Sequence, residues 1–184
     1  RPTFWSSRWA VTATWTLSKL HNLSLCEPCE SYYIPALQGK LVVYGNKIYG
    51  TVWRGGHEEG GELFEYDLST HVYTSLYEFT NQSVGIGPVD LTIVNSKLYG
   101  TTIYGGANNK GTLFEYDPIT TTMQVKINLN SPSSRSIQLL AVDNSLFVYA
   151  VEDGLGVLSE YIVEENILVT KHEFSKQYTP RKLV

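Results

Sequence analysis

The sequence predicts an all-β fold assembled from repeated four-stranded antiparallel units. Three observations predict it: the composition, a period of fifty residues, and short alternating segments punctuated by turn residues. Of 184 residues only 17% are charged, while thirteen tyrosines and four tryptophans join abundant Thr and Val. Branched and aromatic side chains pack well on a pleated surface, so this composition favours strands. A chain of this length buries well over half of the surface its unfolded form exposes, which suffices for one domain with a core.

Self-comparison gives the period. Residues 46–67 read NKIYGTVWRGGHEEGGELFEYD and residues 96–117 read SKLYGTTIYGGANNKGTLFEYD. The offset is fifty throughout, pairing Tyr49 with Tyr99, Gly55 with Gly105, Phe64 with Phe114 and Asp67 with Asp117. A more diverged third copy, residues 144–161, aligns Phe147 with Tyr99 and Tyr161 with Tyr116 once the glycine loop is shortened. Loops tolerate such deletions. Each copy closes on an apolar residue: Phe79, Leu129 and Phe174.

Within a copy, alternation and turn residues place four strands. Strand one is 41–44 or 91–94, and strand two is 47–53 or 97–104. Gly45-Asn46 and Asn95-Ser96 join them, because these residues accept the positive φ of two-residue hairpin turns. A glycine-rich loop leads to strand three, 62–66 or 112–116. Asp67 or Asp117 then opens a turn, its carboxylate placed to accept backbone N–H groups two residues on. Strand four is 72–79 or 123–129. Four short strands per period is the layout of a propeller blade.

The termini read as parts of a fourth unit. RWAVTATW, residues 8–15, lies on the strand-three-to-four turn with Trp15 at the place of Tyr73, and FWSS precedes it in strand three. TPRKLV, residues 179–184, aligns with GPVDLT, residues 87–92. The expected architecture is therefore a β-propeller with three full repeats and a split or incomplete fourth blade formed by the termini. Residues 1–23 hold the late strands of that blade, 24–36 a cysteine-containing connector, 37–79, 80–129 and 130–174 the repeats, and 175–184 the first strand of the split blade. Sharing one blade between the termini removes open sheet edges. Strand two of the split blade has no clear counterpart, so either the blade is incomplete or another chain supplies it.

The motif LYGTTIYGGANNKGTLFEYDP, residues 98–118, resembles the GloVer tandem repeat of bacterial secreted and surface proteins, with its LYGTT, GG and G-T-x-F elements. The resemblance spans roughly residues 37–174. A looser similarity to kelch repeats rests on Gly55-Gly56, Tyr66 and Tyr73. Both resemblances imply a β-propeller and neither implies one chemistry, since a fold hosts many functions.

Charge and motifs narrow the function classes. A formal net charge of −4 without a basic cluster argues against a nucleic-acid partner, since that binding is driven by Lys and Arg neutralising phosphates. No apolar run approaches the roughly twenty residues that span a bilayer as a helix. The sequence opens on Arg1 with no signal-like pattern, so a targeting segment is expected to have been removed or to lie outside it. The glycine pairs precede strands and not helices, so they read as turns and not as phosphate cradles. Cys26 and Cys29, the only cysteines, are a candidate local disulfide, with free thiols or metal or redox use as alternatives. His57, Glu58, Glu59 and Glu62 form an acidic cluster with oxygen donors for a cation, weighed against a solvated loop, since the spacing of a calcium loop is missing.

Aromatic residues in or near loops, Trp53, Tyr104, Tyr32 and Tyr33, together with His57, make the candidate binding surface, because such rings stack on sugars or partner side chains; the alternative is that they cover a core edge. Asn22-Leu23-Ser24 and Asn81-Gln82-Ser83 are glycosylation sequons, meaningful only in a eukaryotic secretory route. No catalytic, metal or cofactor set is recognisable. The expected role is a non-enzymatic, secreted or cell-surface module that binds a protein or glycan. Its alternatives are a subunit that self-assembles as a homo-oligomer through its incomplete blade, and a glycan-active enzyme.

Overall fold

The computed structural model describes residues 40–56, 58–130, 137–152 and 155–174. Twelve strands form three sheets of four. The first sheet contains β1 (Val42–Tyr44), β2 (Lys47–Val52), β3 (Glu62–Asp67) and β4 (Tyr73–Glu78). The second contains β5 (Ile86–Val94), β6 (Lys97–Tyr104), β7 (Thr112–Asp117) and β8 (Thr122–Asn128). The third contains β9 (Gln138–Val142), β10 (Ser145–Glu152), β11 (Leu155–Ile162) and β12 (Ile167–Phe174). In each, chain neighbours pair antiparallel, and β5 meets β1 and β2 of the first sheet and β9 of the third.

The register repeats with the sequence. Tyr49 pairs with Glu65, Tyr99 with Glu115 and Phe147 with Glu160, so the diverged third copy keeps its alignment. Asn95 and Ser96 take φ of 50° and 65°, and Gly45 takes 59°, as the hairpin turns require. Asp67 Oδ1 accepts from the N–H groups of Ser69 (2.8 Å) and Thr70 (3.0 Å), and Asp117 Oδ1 from those of Ile119 (2.8 Å) and Thr120 (3.2 Å). The same turn places His71, Thr121 and Asn166 in the left-handed region at 58°, 54° and 54°.

One strand departs from expectation. β5 starts at Ile86, five residues before the predicted Leu91, and contains Pro88. A register shift between Pro88 and Asp90 lets the strand carry a residue without an N–H, since proline is accommodated at bulges.

A second irregularity recurs in every sheet. Pairing shifts between Leu63 and Phe64, between Leu113 and Phe114, and between Leu158 and Ser159, so Leu76, Lys126 and Lys171 are the extra residues on the fourth strands. A bulge re-aims the side chain it inserts. Lys171 Nζ lies 2.7 Å from Glu160 and Lys126 Nζ 3.7 Å from Glu115.

Two apolar clusters bind the sheets face to face. Tyr49, Leu63 and Phe79 of the first sheet meet Leu91, Leu98, Phe114 and Tyr116 of the second. Tyr99, Leu113 and Leu129 of the second meet Leu139, Leu146 and Tyr161 of the third, so the same repeat positions build both interfaces. The second sheet thus offers one face to the first and the other to the third.

The outermost faces lack such a partner among the described residues. Leu41 is 52% exposed, whereas its counterparts Leu91 and Leu139 are 0% and 1% exposed. Burying a leucine fully is worth roughly 1.5–3 kcal/mol, a gain Leu41 largely forgoes. At the other end Phe147, Leu158 and Phe174 are half-buried, although the matching Tyr99, Leu113 and Leu129 are buried.

The YG element has a packing cause. A Cβ on Gly50 would lie 2.6 Å from Phe64 Cζ, and one on Gly100 would lie 2.2 Å from Phe114 Cζ. Each phenylalanine sits across the ladder from its glycine. In the third sheet the same cross-strand pair is Val148 and Ser159: the side chain has changed strands while the space stays filled.

Candidate binding surface

The glycine-rich loops frame the rim. Gly61 N donates to Gly55 O at 3.2 Å and Gly111 N to Gly105 O at 2.9 Å. Phe79 N donates to Gly61 O and Leu129 N to Gly111 O, so the loops fasten to their fourth strands in the same way. Glu59 and Asn109 share left-handed φ values of 55° and 51°. Gly111 at φ 92° has no room for a side chain, because a Cβ would lie 2.0 Å from Thr102 O. The closing hydrogen bonds are shared, while the side chains differ and Gly55 and Gly105 take φ of 159° and 80°.

Trp53 follows β2 and is half-buried, its indole against Gly87, where a Cβ would lie 2.7 Å from Nε1. The Arg54 guanidinium stacks 4.6 Å from the Trp53 ring, a cation–π arrangement. Tyr104 ends β6, pairs with Ile86 and is 39% exposed. The two aromatic residues therefore flank the start of β5. Trp53 also covers the core edge, and Tyr104 is the more accessible ring. Tyr32, Tyr33, His57, Cys26 and Cys29 lie outside the described residues, as do the split-blade segments at both ends.

The predicted acidic cluster separates within the described residues. Glu62 belongs to β3 and accepts a hydrogen bond from the Tyr73 hydroxyl, while Glu58 remains in the loop. Among the described residues no three His, Cys, Asp or Glu side chains gather as metal ligands. A shallow groove of about 340 Å³ lies beside the second glycine loop, lined by Gln82, Ser83, Gly106, Ala107, Val125 and Asn128.

Where the first strands meet lies a polar tie that motif reading missed. Buried Asp90 accepts from Leu91 N at 2.8 Å through Oδ1 and from Leu139 N at 2.7 Å through Oδ2, reaching across to the third sheet. Lys40, two residues before β1, donates to Leu139 O at 2.8 Å and lies 3.5 Å from Asp90 Oδ2. Lys40 and Asp90 are fifty residues apart, so the repeat offset was the available signal.

A second cluster lies within the second sheet, where the Tyr99 ring also meets Tyr161 of the third at 6.1 Å between centroids. Glu115 accepts from Lys97 at 2.7 Å and from the Tyr99 hydroxyl at 2.5 Å. Burial opposes its charged form, yet the Lys97 ammonium and the Tyr99 hydroxyl hold its pKa below the usual value. Burial, and then the Glu115 charge, push Tyr161 up to about 12. Lys97, Tyr99 and Glu115 satisfy one another, the Tyr161 hydroxyl donates to Asn166 Oδ1 at 2.7 Å, and all serve the scaffold.

The family model described as the Gloeobacter/Verrucomicrobia repeat matches residues 11–182, nearly the whole chain. The chain belongs to this family. The match agrees with the GloVer motif reading, and it places the Gloeobacter/Verrucomicrobia repeat beyond the three described sheets at both ends. No curated protein matches the chain.

Among solved structures this repeat protein is similar to the extracellular domain of the one-component system BT4673 from B. thetaiotaomicron. Identity is 13% and the TM-score 0.56, over 82% of this chain and 19% of that one. It is also similar to a chain of the nidogen/laminin complex at 9% identity and TM-score 0.51, over 70% of this chain and 44% of that one. TolB from Acinetobacter baumannii matches at 14% identity and TM-score 0.48, over 68% of this chain and 29% of that one. The Gloeobacter/Verrucomicrobia repeat chain spans less than half the length of each. At these identities the likeness to the first two establishes a propeller-like β fold alone. Among the described residues no helix is long and apolar enough to cross a membrane.

Proposed function

We propose that this chain is a β-propeller whose three sheets are blades and whose termini supply the split fourth. Its role is that of a non-enzymatic, extracellular or cell-surface module that binds a protein or glycan ligand. The observation that carries the reading is that both glycine loops keep the same closing hydrogen bonds while their side chains change, Glu58-Glu59 in one copy and Asn108-Asn109 in the next. A scaffold that repeats its frame while varying its rim suits recognition, because binding residues sit on loops positioned by a rigid core. Trp53 and Tyr104 are the rings best placed for stacking.

A glycan array with the full chain tests this, run beside a hydrolysis screen. Binding without turnover, weakened by Tyr104→Ala, is the expected result. Turnover of a bound glycan would make the protein an enzyme, and binding unchanged by both Tyr104→Ala and Trp53→Ala would displace the site from this rim.

The exposed Leu41 face and the half-buried Phe174 face favour a second reading, in which copies assemble head to tail, because each face resembles one half of an internal interface. Light scattering over a concentration series separates the readings, and a monomer throughout eliminates assembly.

A further inference from the structure

We propose that the groove beside the second glycine loop is a binding site for a neutral saccharide, held by the side chains of Asn128, Gln82 and Ser83. The inference rests on the reading of this chain as a binding module and names the ligand class and its seat.

The groove is preformed. Its walls come from three places: the connection after β4, the glycine loop after β6, and the end of β8. Gly106 N donates to Gln82 O at 2.6 Å and Ala107 N to Asn128 Oδ1 at 2.7 Å, so the loop is tied to both other walls. Asn81 Oδ1 accepts from Ser83 N at 2.9 Å and fixes the turn that presents Gln82 and Ser83. Gly106 takes φ of 73°, and a Cβ there would lie 2.8 Å from Asn128 Oδ1, so a side chain would obstruct the contact that aims Asn128. Walls already in place spare a ligand the cost of ordering them. The volume of about 340 Å³ lies at the lower end of the range for small-ligand clefts. Tyr104 immediately precedes Gly105, on which a Cβ would lie 2.5 Å from Gln82 O, so the accessible ring and the groove share one wall.

The lining selects the ligand class. With Oδ1 engaged by Ala107, Asn128 has the N–H donors of its amide left to give. Gln82 adds a second amide and Ser83 a hydroxyl, both on exposed side chains, while Val125 and Ala107 supply apolar surface for the C–H face of a sugar. None of the six lining residues is ionisable. Amides and hydroxyls exchange hydrogen bonds in both directions with sugar hydroxyls, whereas a phosphate, sulfate or uronate would find no counter-charge in the lining. An extended peptide would need an even strand edge, and β8 carries its extra residue at Lys126, next to Val125. At the fifty-residue offset the first copy has Ser75 for Val125 and Glu78 for Asn128, with Glu78 Cδ 3.4 Å from the place of a Cβ on Gly56. A carboxylate there shows that the neutral lining belongs to the second repeat and is not imposed by the fold.

Titration of the full chain with neutral oligosaccharides, with their uronate- and sulfate-bearing counterparts and with a peptide library tests the site. Binding confined to the neutral sugars is expected. Asn128→Asp, which keeps the acceptor for Ala107 but replaces the amide donor with an anionic oxygen, should weaken it about tenfold or more. Gln82→Ala, which leaves the backbone bond to Gly106 intact, should weaken it about three- to tenfold with an unchanged melting temperature, so the loss is not one of folding. Neutral-sugar binding weakened by Tyr104→Ala but by neither groove variant would overturn this site and leave the module reading standing. A preference for charged glycans or for peptides would overturn the ligand class. Absence of glycan binding would overturn the inference and leave the module its protein ligand.

Discussion

Replacing Gly50 with Val and Phe64 with Ser would copy into the first sheet the pair that the third sheet already carries as Val148 and Ser159. Alone, Gly50→Val drives a side chain into Phe64 Cζ at 2.6 Å and Leu41 Cδ2 at 2.7 Å. Overpacking of this kind costs about 1–3 kcal/mol, offset in part by the poor strand propensity of glycine. Phe64→Ser removes a buried ring stacked 5.2 Å from Tyr73, a change of about 3–5 kcal/mol by analogy with Phe→Ala. If the sites were independent the double variant would lose about 4–8 kcal/mol; the swap predicts that about 1–3 kcal/mol of this is returned. Gly100→Val with Phe114→Ser should recover less, because a Cβ on Gly100 also lies 2.8 Å from Asp90 O, a backbone atom that does not yield. Urea unfolding of the four proteins measures the cycle, with equal m-values as the check on a common transition. Additivity within about 0.5 kcal/mol at Gly50 and Phe64 would refute the exchange.

Three further outcomes follow from the polar contacts. Asp67 is held down to about 2 by the Ser69 hydroxyl and then by the Thr70 and Ser69 N–H groups. A depressed carboxylate stabilises above its unfolded value of 3.8 and loses that contribution as pH falls toward 2. Thermal melts from neutral pH downward should therefore show a shallower acid decline for Asp67→Asn than for the wild type. Glu115→Gln strips the carboxylate from Lys97 and Lys126 and should cost roughly 2–3 kcal/mol, less than a fully buried pair because both lysines reach solvent. The same variant should lower the titration of Tyr161 from about 12, read by tyrosinate absorbance. Asp90→Ala leaves the N–H groups of Leu91 and Leu139 without their acceptor, at about 1–3 kcal/mol each, and amide exchange at Leu139 should accelerate most.

The repeat made most of the fold legible. Fifty-residue spacing, alternation and turn residues place the strands, and even the Phe147 and Tyr161 alignment survives in the pairing. The early start of β5 was hidden because Pro88 and its flanking glycines read as a break, and the bulge that admits the proline leaves no mark in composition. The fourth-strand bulges were hidden for the same reason, since one extra residue shifts pairing without disturbing an apolar pattern. At the candidate surface the sequence located the aromatics near loops, but not that Trp53 lies down on Gly87 while Tyr104 stays accessible. That depends on glycine in a neighbouring sheet, which single-segment reading does not see. Asp90 is likewise an unremarkable strand residue until β9 is folded against it.

The recurrent extra residue on β4, β8 and β12 bears on what these sheets can join. Those strands are the outer edges of their sheets, where unpaired N–H and C=O groups invite another strand. An incoming flat strand would meet a ladder that miscounts by one midway, with Lys126 or Lys171 already committed to a glutamate at the fault. Edge-to-edge growth into fibrils through β4, β8 and β12 is thereby discouraged three times over.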